Sequence, residues 1–136
     1  MEGFRFEFDA SNRILRLSFL GDLTDRLLLD AYESARAAWF RHGPFHFIVD
    51  YSTVSDCPVS SETIRAIASR HPVMTNNCLG IIVAPQNVLY GLSRMFELLS
   101  TDTRHNIHVV HTMDEALKLI GVPSPTFSLI EFPEAA

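Results

Sequence analysis

Cysteine is scarce in this chain, with two residues in 136, too few for a disulfide framework to staple the fold. Positive charge is also short: 11 Lys and Arg stand against 16 Asp and Glu, for a net charge of −5. That is the wrong sign for a sequence-blind binder of nucleic-acid phosphates. No apolar run approaches the ~18 residues that a membrane helix needs. The opening Met1-Glu2-Gly3-Phe4-Arg5 lacks the basic-then-apolar pattern of a secretion signal. Glycine-rich phosphate loops are missing, since Gly80 and Gly91 stand alone and neither GxGxxG nor GxxxxGKS/T occurs. No GxSxG nucleophile elbow is present either. The expectation is a cytoplasmic protein with no membrane span, no nucleic-acid partner and no cofactor.

What is present is ordinary for a globular domain. Apolar residues make up 47% and charged residues 20%, so the chain can bury about two-thirds of its unfolded surface in one core. Phe4, Phe6 and Phe8 alternate with Arg5, Glu7 and Asp9, the period of a half-buried strand. After the turn Ala10-Ser11-Asn12, Leu15, Leu17 and Phe19 alternate again, predicting an antiparallel hairpin. Leu28, Ala31, Tyr32, Ala35 and Trp39 then recur at helical spacing, and His42-Gly43-Pro44 stops the helix.

Phe45 to Tyr51 and Cys78 to Ala84 are continuous apolar runs, as central parallel strands are. A helix opening at Ser60-Ser61-Glu62 separates them, with Ile64, Ile67 and Ala68 on its core face. Another helix carries Val88, Leu92, Met95, Phe96 and Leu99 on one stripe. Ile107 to His111 is the last strand of the expected core. Thr112 and Glu115 form a capping box for a short helix, Met113 to Ile120, and Gly121 and Pro123 end it.

The order is therefore β-β-α-β-α-β-α-β-α, an α/β fold with a mixed, mostly parallel sheet of four or five strands and the first strand at an antiparallel edge. Phe6, Leu17, Phe47, Val49, Ile82, Phe96 and Val109 are the predicted core residues. Residues 1–121 form one domain. Residues 122–136 form a tail in which Phe127, Leu129, Ile130 and Phe132 cluster between Pro123, Pro125 and Pro133, so it should be extended. Such a segment packs on its own domain or crosses to a second copy. The homodimer is the expectation taken, because an open edge strand at Phe4–Asp9 invites pairing.

Chemistry-bearing residues are few. His105, His108 and His111 are spaced by three, which on a helix would gather them. In a strand His108 points away from the other two, and no HExxH or paired Cys/His spacing supports zinc, so no metal is expected. His46 lies inside a central strand and should be a hydrogen-bonded structural histidine. Cys57 and Cys78 fall at opposite ends of parallel strands and should be reduced thiols.

Asp50 and Asp56 lie where the central strand ends, the side on which open α/β sheets bind ligands. For Asp50 a turn or cap role is the stronger expectation, ahead of a functional carboxylate. Ser60 and Ser61 stand at a helix start, where serine caps free amides and where added phosphate is best tolerated.

The stretches FRFEFDASNRILRLSFLGDLT, FIVDYSTVSD, SSETIRAIA and IIVAPQNVLYGLSRMFELL, with the closing Asp114-Glu115-Ala116-Leu117 helix, resemble the STAS (anti-sigma-factor antagonist) family. More closely they resemble the bacterial STAS/SEC14-like proteins. The resemblance covers about residues 3–121 and implies a STAS-like fold. In the antagonist family a serine in an Asp-Ser-Ser-Gly context at this helix start is phosphorylated by a partner kinase. Ser60 and Ser61 match in place, whereas Pro58-Val59 precede them and Glu62 stands where glycine would.

The resemblance implies a non-enzymatic regulatory domain with a protein partner. Its contact loop would hold Asp50, Ser55, Asp56 and Glu62, with Ser60 or Ser61 as phosphoacceptor or helix cap. The SEC14 side of the resemblance implies an alternative, a small apolar-ligand domain with its site between the sheet and the Val88–Leu99 helix. No catalytic residues are assigned.

Overall fold

A computed structural model describes residues 3–70, 72, 77–101 and 106–130. Among these residues the fold is α/β, with four helices and a six-stranded mixed sheet. The elements are β1 (Gly3–Asp9), β2 (Ile14–Leu20), α1 (Asp25–His42), β3 (His46–Asp50), α2 (Ser61–Ala68), β4 (Gly80–Val83), α3 (Asn87–Leu99), β5 (Ile107–Val110), α4 (Met113–Ile120) and β6 (Ser128–Ile130). The sheet runs β5-β4-β3-β2-β1-β6. β2 through β5 are parallel, and β1 is antiparallel to both its neighbours.

Alternation along the strands divides the protein into two layers. Phe6, Leu15, Leu17, Phe19 and Ile82 face α1, α2 and α3 in the larger apolar cluster. Ile14, Ile48, Ile81 and Val83 face the other way and meet α4 through Ala116, Met113 and Leu117. Local chemistry sets the helix ends. Thr24 caps α1 by accepting from the Leu27 amide at 3.1 Å. Thr112 and Glu115 make the reciprocal capping box of α4, and Gly121 closes that helix at φ 84°, where a side chain would be strained.

Three sequence expectations need correction. The sheet has six strands because part of the tail joins it. Ile130, Leu129 and Ser128 pair with Phe6, Glu7 and Phe8, so β1 is an interior strand and the open edge that motivated the homodimer is covered. Phe132 and Pro133 lie outside the described residues. Second, Asp9 is not on a solvent face: it is only 2% exposed. Its carboxylate accepts from the Asn12 amide and side chain at 3.0 and 2.9 Å, and from the Thr126 amide at 2.9 Å. One buried acid thus shapes the β1–β2 turn and latches the tail.

Third, the inward stripe of α3 is shifted: Leu92, Met95 and Phe96 pack on the core as expected, but the two ends of the expected stripe do not. Leu89 and Ser93 are its buried residues, while Val88 and Leu99 are exposed. The helix is apolar on nearly every side, so periodicity did not select one face.

Candidate functional site

The predicted contact loop is built into the body of the domain. The Ser55 amide donates to the Gly21 carbonyl and the Leu23 amide to the Asp56 carbonyl, both at 2.8 Å. Val54 bridges to Gly21. Val54, Cys57 and Val59 turn toward the apolar core, leaving Ser55 and Asp56 exposed. Asp56 closes its own turn by accepting from the Cys57 amide at 2.9 Å.

Asp50 does not share that surface. It is buried, takes the Arg16 guanidinium at 2.9 Å on Oδ2 and accepts from the Ser52 amide at 2.9 Å on Oδ1. Arg16 also stands 3.6 Å from Glu7 and under the Phe127 ring, 5.6 Å from its centroid. Asp50 is therefore a strut between β2, β3 and the loop that follows.

Ser60 is the N-cap of α2. Its hydroxyl accepts from the Thr63 amide at 3.2 Å, and its own amide donates to Asp25 Oδ1 at 2.8 Å. Asp25 opens α1, so one carboxylate serves the starts of two helices. The Ser60 amide holds that carboxyl below its usual range, with smaller contributions from the Thr63 and Ser60 side chains working against burial. Negative charge thus already stands at the start of α2. A phosphate on Ser60 would meet Asp25 and lose the cap. Ser61 and Glu62 follow on the exposed first turn.

Between the sheet and α1, α2 and α3 lies a feature that no single motif announces: an apolar cavity of about 190 Å³. Phe45, Phe47 and Val49 of the β3 segment form its floor, Trp39 and Ala35 of α1 one wall, and Phe96 of α3 another. Leu23, Tyr51 and Ile64 are buried and close it toward the carboxyl ends of the strands. Trp39, Pro72 and Asn106 toward the amino ends are half-buried, as are Cys57 and Val59 at the other end, and the Arg36 side chain beside Trp39 is 36% exposed, so the lining reaches solvent there.

Phe47, Val49 and Phe96, expected in the core, are half-buried because this space lies against them. Trp39 packs edge-on to Phe45 with centroids 5.0 Å apart. Gly43 permits that placement: a Cβ there would meet the Trp39 carbonyl at 2.5 Å and its ring at 3.0 Å.

The polar groups of the closed end are neutral. Burial pushes the Tyr51 phenol far up, and it pushes the Cys57 thiol up as well, with Asp56 and Asp25 adding to the effect. A protonated thiol among apolar side chains is a poor nucleophile. Cys57 and Cys78 lie on the wall, and neither is in a disulfide.

The remaining candidates take structural places. His46 Nδ1 accepts from the Leu79 amide at 3.0 Å. His111 stacks on Tyr90, 4.1 Å between centroids and 5° from parallel. His105 lies outside the described residues. Among the described residues, no group of three His, Cys, Asp or Glu side chains is placed to hold a metal ion, and no helix is long and apolar enough to cross a membrane. No protein-family model matches the chain, and no curated protein matches it.

Proposed function

We propose that this domain binds a small apolar molecule in the cavity under α1 and α3, without catalysis. The observation that supports the reading is that Phe47, Val49 and Phe96 are only partly buried around one apolar space. Large apolar side chains in a sheet-helix interior ordinarily pack to crystal-like density. A cavity lined this way stays dry and takes apolar guests, as a cavity of about 150 Å³ takes benzene. Pockets for drug-sized ligands start near ~300 Å³, so the guest is small.

The test uses the chain's one tryptophan, which lies in the wall. Titration with 1-alkanols from hexanol to decanol should change Trp39 fluorescence and raise the melting temperature. Ala35→Leu should fill the space and abolish both responses. If no alkanol alters fluorescence or stability in the native protein, the ligand reading is wrong.

The regulatory protein-interaction reading stands second, supported by exposed apolar residues on α3: Val88 and Leu98 are each 65% exposed. Surfaces of this kind serve partner proteins or a second copy. The phosphorylation switch belongs to this reading and moves to Ser61, because the Ser60 hydroxyl already caps the helix. Light scattering at tens of micromolar, with Leu98→Glu as control, separates a homodimer from a monomer.

A further inference from the structure

The cavity wall carries one charge. Among the described residues that line it, Arg36 of α1 is the single ionisable cation, and every acidic side chain is absent from the lining. Arg36 lies one helical turn before Trp39, at the end where the cavity meets solvent, and its side chain is 36% exposed. An arginine placed so lays its apolar stem along the wall and holds its guanidinium at the rim.

That guanidinium is weakly neutralised. Its ion pair is with Glu33, Nε to Oε1 at 3.9 Å. The other oxygen of Glu33 is held much closer by Arg70, at 2.6 Å. Arg70 itself sits over the Tyr32 ring, 5.3 Å from its centroid. The Glu33 charge is therefore drawn to Arg70, and the fork of Arg36 is left to pair with an acceptor at the mouth. A planar carboxylate fits that fork in bidentate geometry.

Building on the ligand reading, we propose that the occupant is a small amphipathic carboxylate, with an apolar body in the cavity and its carboxylate on Arg36. Size sets the body. A cavity of about 150 Å³ takes the six carbons of benzene, so about seven carbons fill this one. A straight-chain acid of about eight carbons, or a single-ring aromatic acid, places the acid group at the rim. The protein's net charge of −5 disfavours anions at long range and is screened beyond ~8 Å. The preference for an anion therefore arises at contact with Arg36 and survives moderate salt.

The experiment compares octanoate with 1-octanol at neutral pH, by Trp39 fluorescence and calorimetry, on the native chain, Arg36→Gln and Arg36→Lys. Octanoate should bind the native chain about tenfold more tightly than octanol, the scale of one charge-assisted pair. Arg36→Gln should weaken octanoate far more than octanol and so remove that preference, and Arg36→Lys should restore part of it. Retained octanol binding also shows that the variants are folded. If octanol and octanoate bind the native chain equally, or Arg36→Gln weakens both alike, the carboxylate assignment is wrong and the apolar-ligand reading stands. If neither binds, both are wrong.

Discussion

The two faces of the sheet are packed differently. Under α4, Ile14, Ile48, Ile81, Val83 and Ala116 are all at 0% exposure. Under α1, α2 and α3 the residues are larger and more aromatic, yet Phe47, Val49, Trp39 and Phe96 are only partly buried. One short helix closes the centre of its face, with Val110, Met113 and Phe127 only partly buried around it, while three helices leave a space over theirs. Covering a sheet and filling the volume beneath the cover are separate achievements. The second depends on how side-chain shapes meet.

Substitutions can break this contrast. Ile48→Ala on the sealed face should cost about 3–4 kcal/mol, since a side chain with no exposed surface leaves both lost transfer energy and a void. Urea denaturation of the variant measures it. A cost below ~1.5 kcal/mol would mean that the face is not tightly packed.

Asp9→Ala should cost about 1–2 kcal/mol, because the Asn12 and Thr126 amides lose a charged acceptor in part-buried hydrogen bonds. Acid should mimic it. Hydrogen bonds from Asn12, with Thr126 assisting, hold the Asp9 carboxyl below its ordinary value against the effect of burial. The unfolded chain therefore takes up the proton first as pH falls. The contribution is fully present above about pH 4 and is lost as pH drops through the depressed folded value. Melting curves of native protein and Asp9→Ala should differ at pH 6 and converge in strong acid.

Phe47→Ala on the open face should cost less than Ile48→Ala in spite of the larger side chain, at about 1–2 kcal/mol. A half-exposed ring beside an existing cavity has less to lose than the ~3–5 kcal/mol of a fully packed one. If Phe47→Ala proves the costlier of the two, the cavity is closed in solution and the contrast between the faces fails.

Much of this architecture was legible in the residues, because periodicity and end signals are local. The alternation at Phe4-Phe6-Phe8, the apolar run Gly80–Val83 and the Thr112–Glu115 box each carry their meaning within a few positions. What stayed hidden depends on distant partners. Asp9 alternates with phenylalanines and reads as a solvent residue until Thr126, far along the chain, donates to it. Ser128-Leu129-Ile130 is too short to show a period and becomes a strand only beside β1. Asp50 reads as a loop carboxylate until Arg16 reaches it across the sheet. The cavity's place between the sheet and the Val88–Leu99 helix was named in the alternative reading, but its α1 wall and its volume were not legible. An apolar stripe says which side of an element faces inward and nothing of how completely that interior is filled. Arg36, on a helix face with Tyr32 and Trp39, gave no signal beyond being a charge among apolar neighbours.

The docking of β6 has a further effect on how the protein behaves in a crowd of its own copies. The sheet's two longest strands, β1 and β2 at seven residues each, lie inside it. Its rims are β5 with four residues and β6 with three. Short rims offer few unpaired backbone groups to another chain, so edge-to-edge aggregation finds little to grip. Remove β6 and the rim becomes GFRFEFD, a seven-residue strand with a phenylalanine at every second position from Phe4 to Phe8. Among the described residues, the three paired residues Ser128–Ile130 thus protect a far longer template from assembling into fibrous or amorphous precipitate.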